Sequence, residues 1–162
     1  MENIKQGRRL LQVSIVVSLI GFLDALYLFY MEITGNFQCL INKGVFQCET
    51  VNSSPYAKFL GVHVSLWGLI FYFLVIVLLF SSLIFENDYF LSFFLPIAAL
   101  CGLGFSIYLT IVEIFIIKLV CEFCLLSAIV SVSLFVLILF AKKKKHSSLF
   151  TKLDFWNFLE KK

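Results

Sequence analysis

Charge is what this chain has least of. Of its 162 residues, 14% are charged, against 61% hydrophobic and 17% aromatic, whereas soluble domains carry about 25% charged residues. So few charges cannot cover a compact domain in water, which excludes a soluble globule and makes lipid part of the solvent. Disorder is excluded for the opposite reason: it needs low hydrophobicity and high net charge, and the mean hydropathy here is +1.00. The alternating pattern of a membrane β-strand is missing as well, so any spanning elements must be helices.

Four apolar stretches are long enough to cross a hydrocarbon core of about 30 Å, which takes about 20 helical residues. They run from Leu10 to Met31, Ser65 to Phe85, Tyr89 to Lys118 and Cys121 to Ala141, and apart from the terminal Lys118 their few charges are Asp24, Glu113 near the end of the third and Glu122 in the first turn of the fourth. The first follows Lys5, Arg8 and Arg9, as a signal peptide would. It is longer than a signal core of about 7–15 residues and no small-residue cleavage site follows it, so it is expected to remain as a span.

Basic residues are nearly absent between the spans. Ten of the thirteen Lys and Arg lie in residues 1–9 and 142–162, and positive-inside bias then places both tails in the cytoplasm. That topology is consistent with an even number of spans. It puts the 33-residue loop from Glu32 to Val64, and the turn between the third and fourth helices, on the outer face. One domain over 10–141 is expected, with a cytoplasmic tail at each end. The second tail has Leu149, Leu153 and Trp156 at helical spacing beside Lys152, Lys161 and Lys162, and reads as an interfacial anchor. Within the domain, Gly21, Tyr27, Leu28 and Glu32 recur as Gly102, Tyr108, Leu109 and Glu113 at a constant offset of 81, a hint of duplication.

Four of the five cysteines fall on the outer face. Cys101 is the exception; among Ala98, Ala99, Gly102 and Gly104 it reads as helix packing. Cys121 and Cys124 form Cys-Glu-Phe-Cys at the start of a helix, where residues three apart share a face and the N-terminus favours a thiolate. Cys39 and Cys48, with eight residues between them, lie in the loop with Gly35, Asn42 and Gly44. Three readings fit the two pairs: a thiol relay, inert structural disulfides, or a zinc site. Zinc wants two short-spaced pairs, and the first pair is too wide, so no metal is expected. Ser54-Pro55 ahead of Tyr56–Leu60 reads as an N-cap with Pro at the first helical position, predicting a short horizontal helix over the bundle mouth. Asp24 at mid-span is expected either to be neutral or to hydrogen-bond Tyr27, Tyr108 or Ser106; a charge at mid-membrane costs about 2.5–3.5 kcal/mol at least. His63 on the outer face reads as a solvated interfacial residue, with assistance to proton transfer as the alternative.

Taken in order, Cys39…Cys48, Ser53-Ser54, Phe59/Gly61, Ser65, Gly68, Tyr108-Leu109, Glu113 and Cys121-Glu-Phe-Cys124 resemble the vitamin K epoxide reductase (VKOR) family, in its bacterial disulfide-forming branch. The resemblance spans residues 10 to 141. It implies an all-α membrane four-helix bundle around a quinone, ubiquinone or menaquinone. Cys124 would face that quinone, Cys121 would exchange with the loop pair, and Cys39 and Cys48 would pass oxidising equivalents to a DsbA-like thioredoxin-fold protein. Ser54 and Trp67 are the expected quinone contacts. Val64 and Ala128 stand where the animal enzymes carry Asn and Tyr, which argues for an ordinary respiratory quinone and against epoxide reduction. The chain ends without a fused thioredoxin domain, so the partner is expected to be separate and the protein to reside in the inner membrane. Two alternatives remain: a DsbB-type oxidase, whose cysteine pairs come in the reverse order, and a small transport or assembly subunit with structural disulfides.

Overall fold

The computed structural model describes residues 2–35, 46–84 and 93–160, with side chains described from 5 to 35, 46 to 84 and 93 to 144. Cys39 lies outside the described residues. Among them are four helical segments long and apolar enough to cross a bilayer: Lys5–Thr34, Val64–Ile84, Leu95–Ile117 and Glu122–Lys144. The chain is a multi-pass membrane protein with an all-α four-helix bundle, as its hydropathy predicts.

Helix α1 (Glu2–Thr34) is apolar nearly all round, so burial separates its faces where hydropathy does not. Leu11, Ile15, Ala25 and Leu28 face the bundle, while Val16, Leu23 and Ile33 stay outward for lipid. Ser14 and Ser18 lie on the inner face with no exposed surface. Each donates its hydroxyl to the carbonyl four residues back, at 2.9 and 2.8 Å, so neither is left unpaired. Helices α3 (Val64–Ile84), α4 (Leu95–Ile111) and α5 (Glu122–Glu160) complete the bundle. α1 packs along α5 and α3, and α4 packs on α5; the α3–α4 seam is much the loosest.

Two glycines set the closeness of packing. A Cβ on Gly21 would lie 2.5 Å from the Tyr72 ring, and one on Gly102 would lie 2.3 Å from the Phe71 ring. Consecutive aromatics of α3 thus seat on two bare backbones, one on α1 and one on α4. The recurring Gly–Tyr–Leu–Glu pattern marks these two sites at its first position.

The loop between α1 and α3 differs in detail from the prediction. Its short helix is α2 (Cys48–Asn52), upstream of the expected place. After Ser54 there is a single 3-10 turn, Pro55–Ala57. The Ser54 hydroxyl does not cap it but donates back to the Val51 carbonyl at 2.7 Å. The chain then forms a hairpin, β1 (Lys58–Phe59) against β2 (Val62–His63). Leu60 and Gly61 both have positive φ, +55° and +79°, the condition for a two-residue type I′ turn. His63 pairs with Glu32, and the Ser65 hydroxyl donates to the same carboxylate at 2.6 Å, which fastens the hairpin to α1.

At its far end α5 continues without a break through the basic segment to Glu160. Its 39 residues measure about 58 Å at about 1.5 Å per residue, so the basic tail begins as an extension of the span.

Candidate active site

Cys48 and Cys121 come from opposite halves of the sequence, and backbone pairing brings them together. Phe46 bridges Val120 in parallel, and the Gln47 amide donates to the Val120 carbonyl at 3.3 Å. α4 runs into a π-helical turn at Val112–Ile117, and Lys118 then adopts the left-handed conformation, with φ +58°. That reversal delivers Val120 to the bridge and Cys121 to the cap of α5, where its carbonyl accepts the Leu125 amide at 3.0 Å.

Cys48 is 2% exposed and Cys121 0%; with Leu28 and Val51 they form a small core separate from the main one, against which Cys124 packs. Three groups act on the Cys121 sulfur. The Cys124 thiol hydrogen-bonds it, the Cys124 backbone amide adds a second contact and the Cys48 thiol a third; against burial and the Glu113 charge, these bring the Cys121 thiol down from 9.0 to about 7. The Asn52 side-chain amide lies 3.7 Å from the same sulfur while also donating to the Cys48 carbonyl at 3.0 Å.

Glu113 completes the arrangement from the π-helical turn. It is 6% exposed; its Oε2 accepts the Cys121 amide at 3.2 Å, and its carboxylate is hydrogen-bonded to the Cys124 thiol. A buried carboxylate is therefore in contact with both members of the Cys-Glu-Phe-Cys motif. Neither Asn52 nor the role of Glu113 was legible in the sequence as a cysteine contact. No single helix links Glu113 to Cys121; the π-helical turn and the Lys118 reversal lie between them and bring the two together.

Below the cysteines lies a cavity of about 310 Å³ lined by residues of all four long helices. This is within the size range of small-molecule sites. Its walls are apolar, formed by Phe59, Val64, Trp67, Phe71 and Phe105, and Cys124 opens onto it. Phe59 joins Trp67 and Phe105 by edge contacts at 6.3 and 5.8 Å, and the Trp67 indole donates to the Phe59 carbonyl at 3.2 Å. Further into the span the lining turns polar. The Tyr72 hydroxyl meets Ser127 Oγ at 2.8 Å and Ser131 Oγ at 3.4 Å, and Ser106 donates to Ser131 at 3.0 Å. Asp24 belongs to the same lining.

Of the residues singled out from sequence, Cys48, Cys121 and Cys124 thus converge, and Trp67 and Val64 line the cavity beside them. Ser54 lies off the cavity lining, in the segment leading to the hairpin. Ala128 faces a separate groove between α4 and α5. Cys101 is on the cavity wall and exposed, a position that helix packing alone does not describe. Among the described residues no cluster of His, Cys, Asp and Glu is disposed to hold a metal ion.

An apolar bundle with a low-pKa cysteine at a helix start, a second cysteine on a cavity wall and a third pressed against the first is a membrane thiol oxidoreductase in its general class. Residues 12–139 match the sequence profile of the vitamin K epoxide reductase family. The chain belongs to that family. No curated protein matches the chain closely enough to add to this assignment.

Proposed function

We propose that the protein is a quinone-dependent thiol–disulfide oxidoreductase that supports disulfide formation in exported proteins. The observation that carries this reading is the continuity from Cys48 through Cys121 to Cys124 and the cavity: Cys48 hydrogen-bonds Cys121, and Cys124 lines the cavity. In the proposed sequence a reduced thioredoxin-fold partner attacks the Cys39–Cys48 disulfide and leaves oxidised. The loop dithiol then reduces Cys121–Cys124: Cys48 attacks Cys121, expelling the Cys124 thiolate, and Cys39 attacks Cys48, expelling the Cys121 thiolate. A thiol with a pKa near 7 is a good leaving group, which suits Cys121 to this place. The Cys121–Cys124 dithiol finally gives two electrons to ubiquinone or menaquinone and becomes a disulfide again.

The cavity suits a quinone ring: apolar faces from Phe59, Trp67 and Phe105 for the ring, and a polar inner end for its oxygens. The loose α3–α4 seam offers its isoprenoid tail a lateral way into lipid. Trp67 is proposed as a wall of this site and Ser54 as part of the segment that closes it. The basic tails support a cytoplasmic location for both ends, with the cysteines at the outer face of a bacterial inner membrane.

Trapping tests the relay. In Cys124→Ser, the Cys121 thiolate can attack the Cys39–Cys48 disulfide at Cys48 and expel the Cys39 thiolate, and with no Cys124 to resolve it the new disulfide accumulates. Peptide mapping should find Cys48–Cys121 as the product. Cys39–Cys121 in its place, or no cross-link, would contradict the proposed order.

A further inference from the structure

Asp24 lines the cavity and has no task in the thiol relay. It sits within the first span, 6% exposed, in the same cavity lining as Cys124. Its Oδ2 has no hydrogen-bond partner among the described residues. The hydroxyls of that lining are engaged with one another, through Tyr72, Ser127, Ser131 and Ser106. A carboxyl group in a span is expensive and is by default functional, and an unmet polar atom at a cavity wall is placed to meet a ligand.

The chemistry of the site calls for a proton here. Oxidising the Cys121–Cys124 dithiol forms one S–S bond and releases two electrons and two protons. The quinone takes both electrons and must take both protons to leave as a neutral hydroquinone, the form that lipid accepts. Cys124 carries one thiol proton at the cavity wall. Cys121 is buried away from water and hydrogen-bonded to Cys124, which shares the cavity lining with Asp24. A carboxyl group takes a proton when ionised and donates one when neutral.

We propose that Asp24 is the proton carrier of the quinone step: it receives the proton that Cys121 gives up and donates it to one quinone oxygen, while the Cys124 proton goes to the other. Protons and electrons then leave the dithiol in equal number, and no charge is left in the cavity. This inference rests on the quinone reading above.

The test uses the full chain in lipid nanodiscs, with dithiothreitol as reductant and short-chain ubiquinone and menaquinone analogues as acceptors. Asp24→Asn keeps the shape but holds no transferable proton, and kcat should fall by about 10²–10⁴-fold. KM for the quinone should change by less than about threefold, since the loss is in the chemical step. Asp24→Glu should restore part of kcat. Infrared difference spectra of wild-type protein with and without the quinone give a readout separate from turnover and from the folding of any variant. They should show a carboxyl C=O band that shifts when the quinone binds and is lost in Asp24→Asn. Ser82→Ala removes a buried hydroxyl that also has no partner among the described residues, away from the cavity, and should leave kcat unchanged. Wild-type kcat in Asp24→Asn, a loss confined to KM, or a wild-type carboxyl band indifferent to quinone would each overturn the assignment. A wild-type protein that oxidises dithiothreitol with neither quinone would sink the quinone reading itself, which separates the two failures.

Discussion

At the residue scale the chemistry converges on the Cys121 sulfur, where the Cys124 thiol, the Cys124 amide and the Cys48 thiol gather around an atom with no exposed surface. With its pKa near 7, the thiolate fraction falls about tenfold for each pH unit below that value and saturates above it. The rate at which reduced Cys121 attacks the Cys39–Cys48 disulfide, the reverse of the last exchange in the relay, should therefore rise steeply from acid pH and flatten above about 7, as read by single-turnover trapping in Cys124-containing protein. A profile still rising to pH 9 would mean that the contacts to Cys121 do not stabilise its thiolate. Asn52→Ala removes one donor to that sulfur. A hydrogen bond of this kind contributes about 0.5–1.5 kcal/mol, so exchange should slow by about 2–10-fold in the same assay. The sequence singled out the cysteines because their spacing is local, three residues at a helix start. Asn52 was not legible, because its contact spans 69 positions and an Asn in a loop carries no signal of its own.

Among the elements, helix α3 is positioned by two glycines, and this was half legible. The offset of 81 picks out Gly21 and Gly102, but only the packed structure gives the repeat a physical meaning: each receives one of the adjacent rings Tyr72 and Phe71. Gly21→Ala forces a Cβ into the Tyr72 ring. Overpacking of this sort costs about 1–3 kcal/mol. The variant should lose thermal stability in micelles and, because the Tyr72 hydroxyl reaches Ser127, should weaken quinone binding as well. The loop was read less well. Ser54-Pro55 carries the local signature of a helix start, yet the Leu60–Gly61 turn and the hairpin prevail, held by Glu32 contacts to His63 and Ser65 from a different helix. The Phe46–Val120 bridge is the element that holds the Cys48 segment beside Cys121. Gln47→Pro deletes the amide that donates to Val120 and forbids the observed φ of −141°. Oxidative cross-linking of Cys48 to Cys121 should drop sharply in that variant, while the Cys121–Cys124 disulfide still forms.

For the whole molecule, the four spans were legible because scarce charge marks their ends and long apolar runs have no other stable form in lipid. The cavity was not, since it depends on rings from α3 meeting bare backbone on α1 and α4 and on a hairpin bringing Phe59 to its wall. The bundle therefore does more than cross the bilayer: it holds a largely apolar chamber, with polar groups at one end, directly beneath a thiol pair. The central claim is that electrons pass from thiols through Cys121 and Cys124 to a quinone in that chamber. The most direct measurement is quinone-dependent oxidation of a reduced thioredoxin-fold protein by the wild-type chain, Cys121→Ser and Cys124→Ser in lipid nanodiscs. The account predicts turnover in the wild type and none above background in either variant; undiminished turnover in both variants would contradict it.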